Sequence, residues 1–89
     1  MPPFEVEFSR SAERDFRKVP RGVQERFARA FARLADDPRK ARPGCDLRPL
    51  SGAANAWRIR VGEDRGIYAI EAHVIVFTRF GHRKRIYGR

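Results

Sequence analysis

The alternation Trp57-Arg58-Ile59-Arg60-Val61 constrains this chain most. Side chains of a strand point alternately to opposite faces, so Trp57, Ile59 and Val61 share one face while Arg58 and Arg60 share the other. Such a strand needs a sheet with one covered face and one that tolerates cations. Gly62-Glu63-Asp64 then reads as a turn, Arg65 to Glu71 as a second strand and Ala72-His73 as a tight connection. Val74 to Phe80 is the most apolar run and lacks strict alternation, as expected of a central strand buried on both faces.

Upstream, Phe4-Glu5-Val6-Glu7-Phe8 alternates and predicts a half-buried strand. Ser9 or Ser11 caps a helix through about Val19, with Glu13 and Asp15 favourable in its first turn and Ala12, Phe16 and Val19 on its buried stripe. Pro20 and Gly22 break it. A second helix runs from about Arg21 to Asp36, with Val23, Phe27, Ala30, Phe31 and Leu34 at helical spacing, and Pro38 stops it. Residues 37–55 read as loop, and Arg83 to Tyr87 as a short final strand or extended tail. The sequence therefore predicts one α+β domain over residues 1–89, with an N-terminal strand, a helical hairpin and an antiparallel three- to four-stranded sheet, in the order β-α-α-β-β-β. The hairpin covers one face, and Arg58 and Arg60 point at the partly open one.

The 89 residues leave no room for a second core, while 42% hydrophobic content with seven Phe suffices for one. The net charge of +9 favours an anionic partner. Beyond residue 53, eight basic residues face three acids (Glu63, Asp64, Glu71), so local pairing cannot neutralise most of the arginines there. Residues 79–89 carry five basic residues and no acid. Cys45 is the single cysteine, so no intrachain disulfide forms; in a Pro/Gly-rich loop it reads as an inert surface thiol. The N-terminus lacks a signal-peptide pattern, and no run approaches the ~20 apolar residues of a membrane span. The expectation is a cytoplasmic protein with no membrane partner.

These motifs taken together resemble the RelE/ParE superfamily, the toxin half of bacterial type II toxin–antitoxin pairs. The resemblance covers nearly the whole chain: the strand–hairpin–sheet order, the Leu50-Ser51-Gly52 loop, Trp57 to Val61, Arg65-Gly66-Ile67-Tyr68, and the Gly81-His82-Arg83…Tyr87 ending. It implies a toxin silenced by a cognate antitoxin. RelE-like members are ribosome-dependent endoribonucleases that cleave mRNA and block translation. ParE-like members keep the fold, act on DNA gyrase and lack the catalytic set. By resemblance, Arg58, Arg60, Arg65, Arg83 and Tyr87 hold the scissile phosphate and assist attack by the ribose 2′-OH.

Several residues depart from the RelE pattern. Arginines replace lysines on the first of these strands, Gly66 replaces a hydrophobic residue, and Asp64 stands where an aromatic is common. Arginine stays protonated, so Arg58 and Arg60 bind charge but do not act as bases. The base remains open among Tyr87, His82 and Glu63: positive neighbours favour a phenolate, and an unperturbed imidazole suits neutral chemistry. The reaction needs no metal or other cofactor, and the sequence offers no metal-ligand cluster. Arg26, Arg29 and Arg33 on the second helix read as a docking stripe for ribosomal RNA. Arg79, Lys84 and Arg85 extend the RNA-binding charge of the C-terminal segment.

Overall fold

The computed structural model describes residues 3–87, with only the backbone at Tyr87. Its elements are β1 (Glu5–Phe8), α1 (Arg10–Arg17), α2 (Arg21–Leu34), β2 (Asp46–Pro49), β3 (Ala56–Val61), β4 (Asp64–Glu71), β5 (Val74–His82) and α3 (Arg83–Tyr87). One five-stranded sheet runs in the order β1-β5-β4-β3-β2. The β2–β5 neighbours are antiparallel, and β1 lies parallel to β5, with Glu5 opposite Val74 and Phe8 opposite Phe77.

Ser9 caps α1, its hydroxyl accepting from the Ala12 N–H at 3.1 Å. Replacing Ser9 by alanine removes that bond and is expected to cost about 1 kcal/mol, read as a fall of ~4–8 °C in the thermal midpoint. Between the helices, Gln24 of α2 donates from Nε2 to the Phe16 carbonyl at 2.8 Å, which also accepts the Val19 N–H at 3.1 Å, so the end of α1 is tied to α2. Asp15 ties α1 to the sheet, accepting from the Phe80 N–H at 3.1 Å beyond the point where β1 has ended.

A phenylalanine cluster fills the space between helices and sheet. Phe8, Phe16, Phe27, Phe31, Phe77 and Phe80 pack with ring centroids 4.9–6.1 Å apart. A register shift makes this possible. Tyr68 faces Phe77 while Gly66 faces Phe80, so two residues of β4 oppose three of β5 and both rings turn to the helix side. Gly66 lies beneath them: a Cβ there would stand 2.9 Å from each ring. Tyr68 is buried with its hydroxyl donating to the Pro38 carbonyl at 2.7 Å, which anchors the chain just past α2. Burial pushes its phenol pKa well above the ordinary value, so it serves as a fixed donor.

Four sequence expectations are corrected here. The sheet has five strands, because Asp46–Pro49 within the supposed loop pairs with β3. It is short, polar on both sides of Leu47, and ends on a proline that only an edge strand tolerates. The segment from Arg83 is helical, because β5 loses its antiparallel neighbour at the Asp64–His82 pair and has no strand left to bond. Val74 to Phe77 alternates between half-buried and buried, and Thr78 and Arg79 are exposed, so β5 is central without being covered on both faces. Cys45 is a buried thiol, 1% exposed, with Sγ 4.0 Å from the Ala30 carbonyl. That burial raises its pKa, against the opposing charge of Arg42 and Arg33.

Candidate functional site

Register decides which arginines meet. Arg48 faces Arg58 across β2–β3, Arg58 faces Ile67, and Arg60 faces Arg65 across β3–β4. Opposed residues share a face, so all four arginines lie on the side of the sheet away from the phenylalanine cluster. Arg58 and Arg65 sit diagonally to each other, and with Arg48 and Leu50 they line one cavity of about 300 Å³.

The sequence expectation for Arg58 was an exposed cation, but both it and Arg65 are buried, at 9% and 6% exposure. Arg65 donates from Nη1 to the carbonyls of Gly62 (3.1 Å) and Asp64 (3.3 Å) in the β3–β4 turn. Among the described residues no carboxylate pairs with it. Arg58 reaches Asp46, Nη2 to Oδ1 at 3.1 Å. The Nε of each guanidinium is buried and has no hydrogen-bond partner. Burying a donor unpaired costs about 1–3 kcal/mol, more when the group is charged. Two buried arginines thus line one cavity, and among the described residues only Arg58 of the two is paired with a carboxylate.

The other predicted residues are distributed around this pair. Arg60 is half-exposed and bonds Asp46, Nε to Oδ2 at 2.7 Å. It also lines a second groove of about 470 Å³ with Arg26, Arg29, Arg33 and Arg42. Two positive-φ glycines flank that groove: a Cβ on Gly44 would meet the Arg33 guanidinium at 2.9 Å, and one on Gly62 would meet that of Arg26 at 3.4 Å. Arg42 is tied into the backbone, donating to the carbonyls of Arg33, Asp37 and Lys40. Arg79, His82 and Arg85 line a third cleft with Asp15 and Lys18. His82 accepts the Lys84 N–H on Nδ1 at 3.2 Å, which leaves Nε2 for other partners. Lys84 is exposed on α3.

Arg83 opens α3 and is clamped to the β3–β4 turn: its N–H bonds the Glu63 carbonyl at 2.9 Å and its Nε meets Glu63 Oε1 at 3.1 Å. It does not line the Arg58–Arg65 cavity. The Tyr87 side chain lies outside the described residues. Sequence reasoning did not single out Arg48, Asp46 or Arg42, and named Leu50 only within the Leu50-Ser51-Gly52 loop. The available signal was Asp46-Leu47-Arg48, an apolar residue flanked by charges, obscured by the prolines and glycine around it.

The arrangement defines a small basic α+β protein with two buried arginines on the face of its sheet opposite the phenylalanine cluster. The chain belongs to the family of ParE toxins of type II toxin–antitoxin systems, parDE, whose model matches residues 6–87. Solved structures of the wider RelE/ParE superfamily superpose along almost its full length. A chain of the RelB–RelE antitoxin–toxin complex from Methanococcus jannaschii is 27% identical, with TM-score 0.77 and coverage of 92% of this chain and 95% of that one. A chain of the RelBE2 toxin–antitoxin complex from Mycobacterium tuberculosis is 29% identical, with TM-score 0.75 and coverage of 93% and 94%. The E. coli DinJ–YafQ complex shares the fold at 14% identity, with TM-score 0.78 and coverage of 97% and 99%. No curated protein matches the chain in sequence. The protein is a toxin of the RelE/ParE superfamily, and no helix among the described residues is long and apolar enough to cross a membrane.

Proposed function

We propose that this toxin is a ribosome-dependent, metal-independent endoribonuclease of the cytoplasm that cuts mRNA and halts translation. The observation carrying the reading is the pair of buried arginines, Arg58 and Arg65, which line one cavity and each keep a buried Nε without a hydrogen-bond partner. A phosphodiester supplies the missing acceptor, and charge-assisted bonds from guanidinium to phosphate are the strong ones.

In the proposed reaction the ribose 2′-oxygen attacks the adjacent phosphorus and its proton passes to a base. The P–O5′ bond breaks, leaving a 2′,3′-cyclic phosphate, and the departing 5′-oxygen takes up a proton. Negative charge grows on the non-bridging oxygens during attack. Arg58 and Arg65 meet it with donors fixed before the substrate arrives. Arg60 is near enough to share Asp46 with Arg58 and binds the neighbouring stretch of backbone. Tyr87, His82 and Glu63 are the groups for proton transfer, with Arg83 holding Glu63 and the start of α3 in place. Arg26, Arg29 and Arg33 contact ribosomal RNA, and Arg79, Lys84 and Arg85 add to the RNA-binding charge. A cognate antitoxin covers the basic face, and charge complementarity speeds its capture.

The match to the ParE model favours a second reading, a non-enzymatic inhibitor of DNA gyrase. Mapping mRNA 5′ ends after induction separates the two. The nuclease reading expects new 5′ ends within translated codons, lost in the Arg58→Gln variant. The gyrase reading expects intact mRNA and blocked supercoiling by the purified protein.

A further inference from the structure

We propose that Asp46 is an intramolecular competitor for the phosphate site: its carboxylate holds Arg58 until an RNA phosphate displaces it. The inference rests on the phosphate reading of Arg58 and Arg65. Asp46 bridges two guanidinium groups, with Oδ1 3.1 Å from Arg58 Nη2 and Oδ2 2.7 Å from Arg60 Nε. Its position follows from register. Asp46 faces Arg60 across β2–β3, and the twist of the strand pair brings the diagonal Arg58 within reach of the other oxygen.

The placement is specific. Among the described residues, Asp46 is the one carboxylate-bearing residue lining the groove formed by Arg26, Arg29, Arg33, Arg42 and Arg60, and the Arg58–Arg65 cavity has none in its lining. The two arginine sites therefore meet at a single acid. A carboxylate offers the same planar pair of acceptor oxygens that a phosphodiester offers, so it satisfies part of what the guanidinium groups need without satisfying all of it. Arg58 Nε remains unpartnered with Asp46 in place. The Asp46 side chain is 44% exposed, so water can take over its charge when it lets go. The Arg60 half of the bridge is exposed and weakly held, whereas the buried Arg58 needs a replacement anion when Asp46 lets go, which ties release to phosphate arrival. Asp46 thereby sets how tightly the cluster holds RNA and keeps Arg58 from binding solution anions indiscriminately.

The test measures binding of a short 2′-O-methyl RNA, which lacks the attacking hydroxyl and is not cut, to the full chain at several salt concentrations. Asp46→Asn keeps an acceptor oxygen and removes the charge. Glu71→Gln, at an exposed position at the end of β4, makes the same change in net charge away from the site. Asp46→Asn is expected to bind roughly five- to tenfold more tightly than wild type with a steeper salt dependence, while Glu71→Gln changes affinity less than twofold. In an Arg58→Gln background the gain from Asp46→Asn should shrink to the part that comes from freeing Arg60, because the Arg58 donor is absent. A gain no larger than that of Glu71→Gln overturns the proposal, as does weaker binding or an equal gain without Arg58. Thermal midpoints of each variant establish that the fold is intact. The probe reads affinity alone, so the nuclease reading fails separately, if no variant cleaves mRNA on ribosomes.

Discussion

Replacing Arg65 by glutamine is expected to lower single-turnover mRNA cleavage by about 10²–10³-fold, as removal of one donor aimed at developing charge typically does. The size follows from where Arg65 sits. At 6% exposure its charge is shielded little by water, so its field at the cavity is strong. Its Nη1 is held by the Gly62 and Asp64 carbonyls, which fixes the plane of the guanidinium and leaves Nε unpaired. Gly66, the next residue, adds to this precision by letting the Phe77 and Phe80 rings press against the strand from the other side. Glutamine fills part of the volume, and the lost turn bonds cost ~1 kcal/mol each. The variant should therefore stay folded, with far-UV circular dichroism unchanged and the loss in kcat rather than KM. Wild-type cleavage by Arg65→Gln would remove Arg65 from the reaction.

The second large effect concerns stability. Phe77→Ala is expected to cost ~3–5 kcal/mol, measured as a shift in the denaturant midpoint at constant slope. Phe77 is fully buried and its ring contacts Phe8, Phe31, Tyr68 and Phe80, with Phe80 stacked at 4.9 Å and 16°. It also sits where β1 and β4 flank β5, opposite Phe8 and Tyr68. A domain of this length has about a dozen kcal/mol of stability at most, so the variant should lose more than ~10 °C in thermal midpoint. A loss below ~1 kcal/mol would mean that helices and sheet are held together elsewhere.

How far the sequence reveals these features depends on the interaction concerned. Local pattern placed β1, both helices of the hairpin, β3 and β4 nearly to the residue. Alternation and helical spacing report burial directly, and Ser9 and Pro38 mark ends by their own chemistry. The β2 edge strand escaped because four residues around one buried leucine carry too little pattern, and pairing with β3 supplies what propensity does not. The α3 helix escaped for the converse reason: its conformation follows from the end of β4 at Asp64, a fact of register. At the site, the sequence named Arg58 and Arg65 but not their burial, nor Arg48 and Leu50 beside them in the cavity lining. It weighed Glu63, Asp64 and Glu71 as local partners for the arginines and found them too few. Only Arg83 with Glu63 follows that pattern, while Asp46 takes Arg58 and Arg60 from the far edge of the sheet. Pairing with a strand that local pattern does not reveal is invisible to local reading.

The central claim is that the Nε–H groups of Arg58 and Arg65 wait for one phosphate. Arginine side-chain NMR with the uncleavable 2′-O-methyl RNA tests it at those atoms. Both Nε–H protons should move downfield together and exchange more slowly with water as the RNA saturates the protein. If both resonances stay unchanged at saturation while signals elsewhere shift, the RNA binds another surface and the site described here is not where the chemistry occurs.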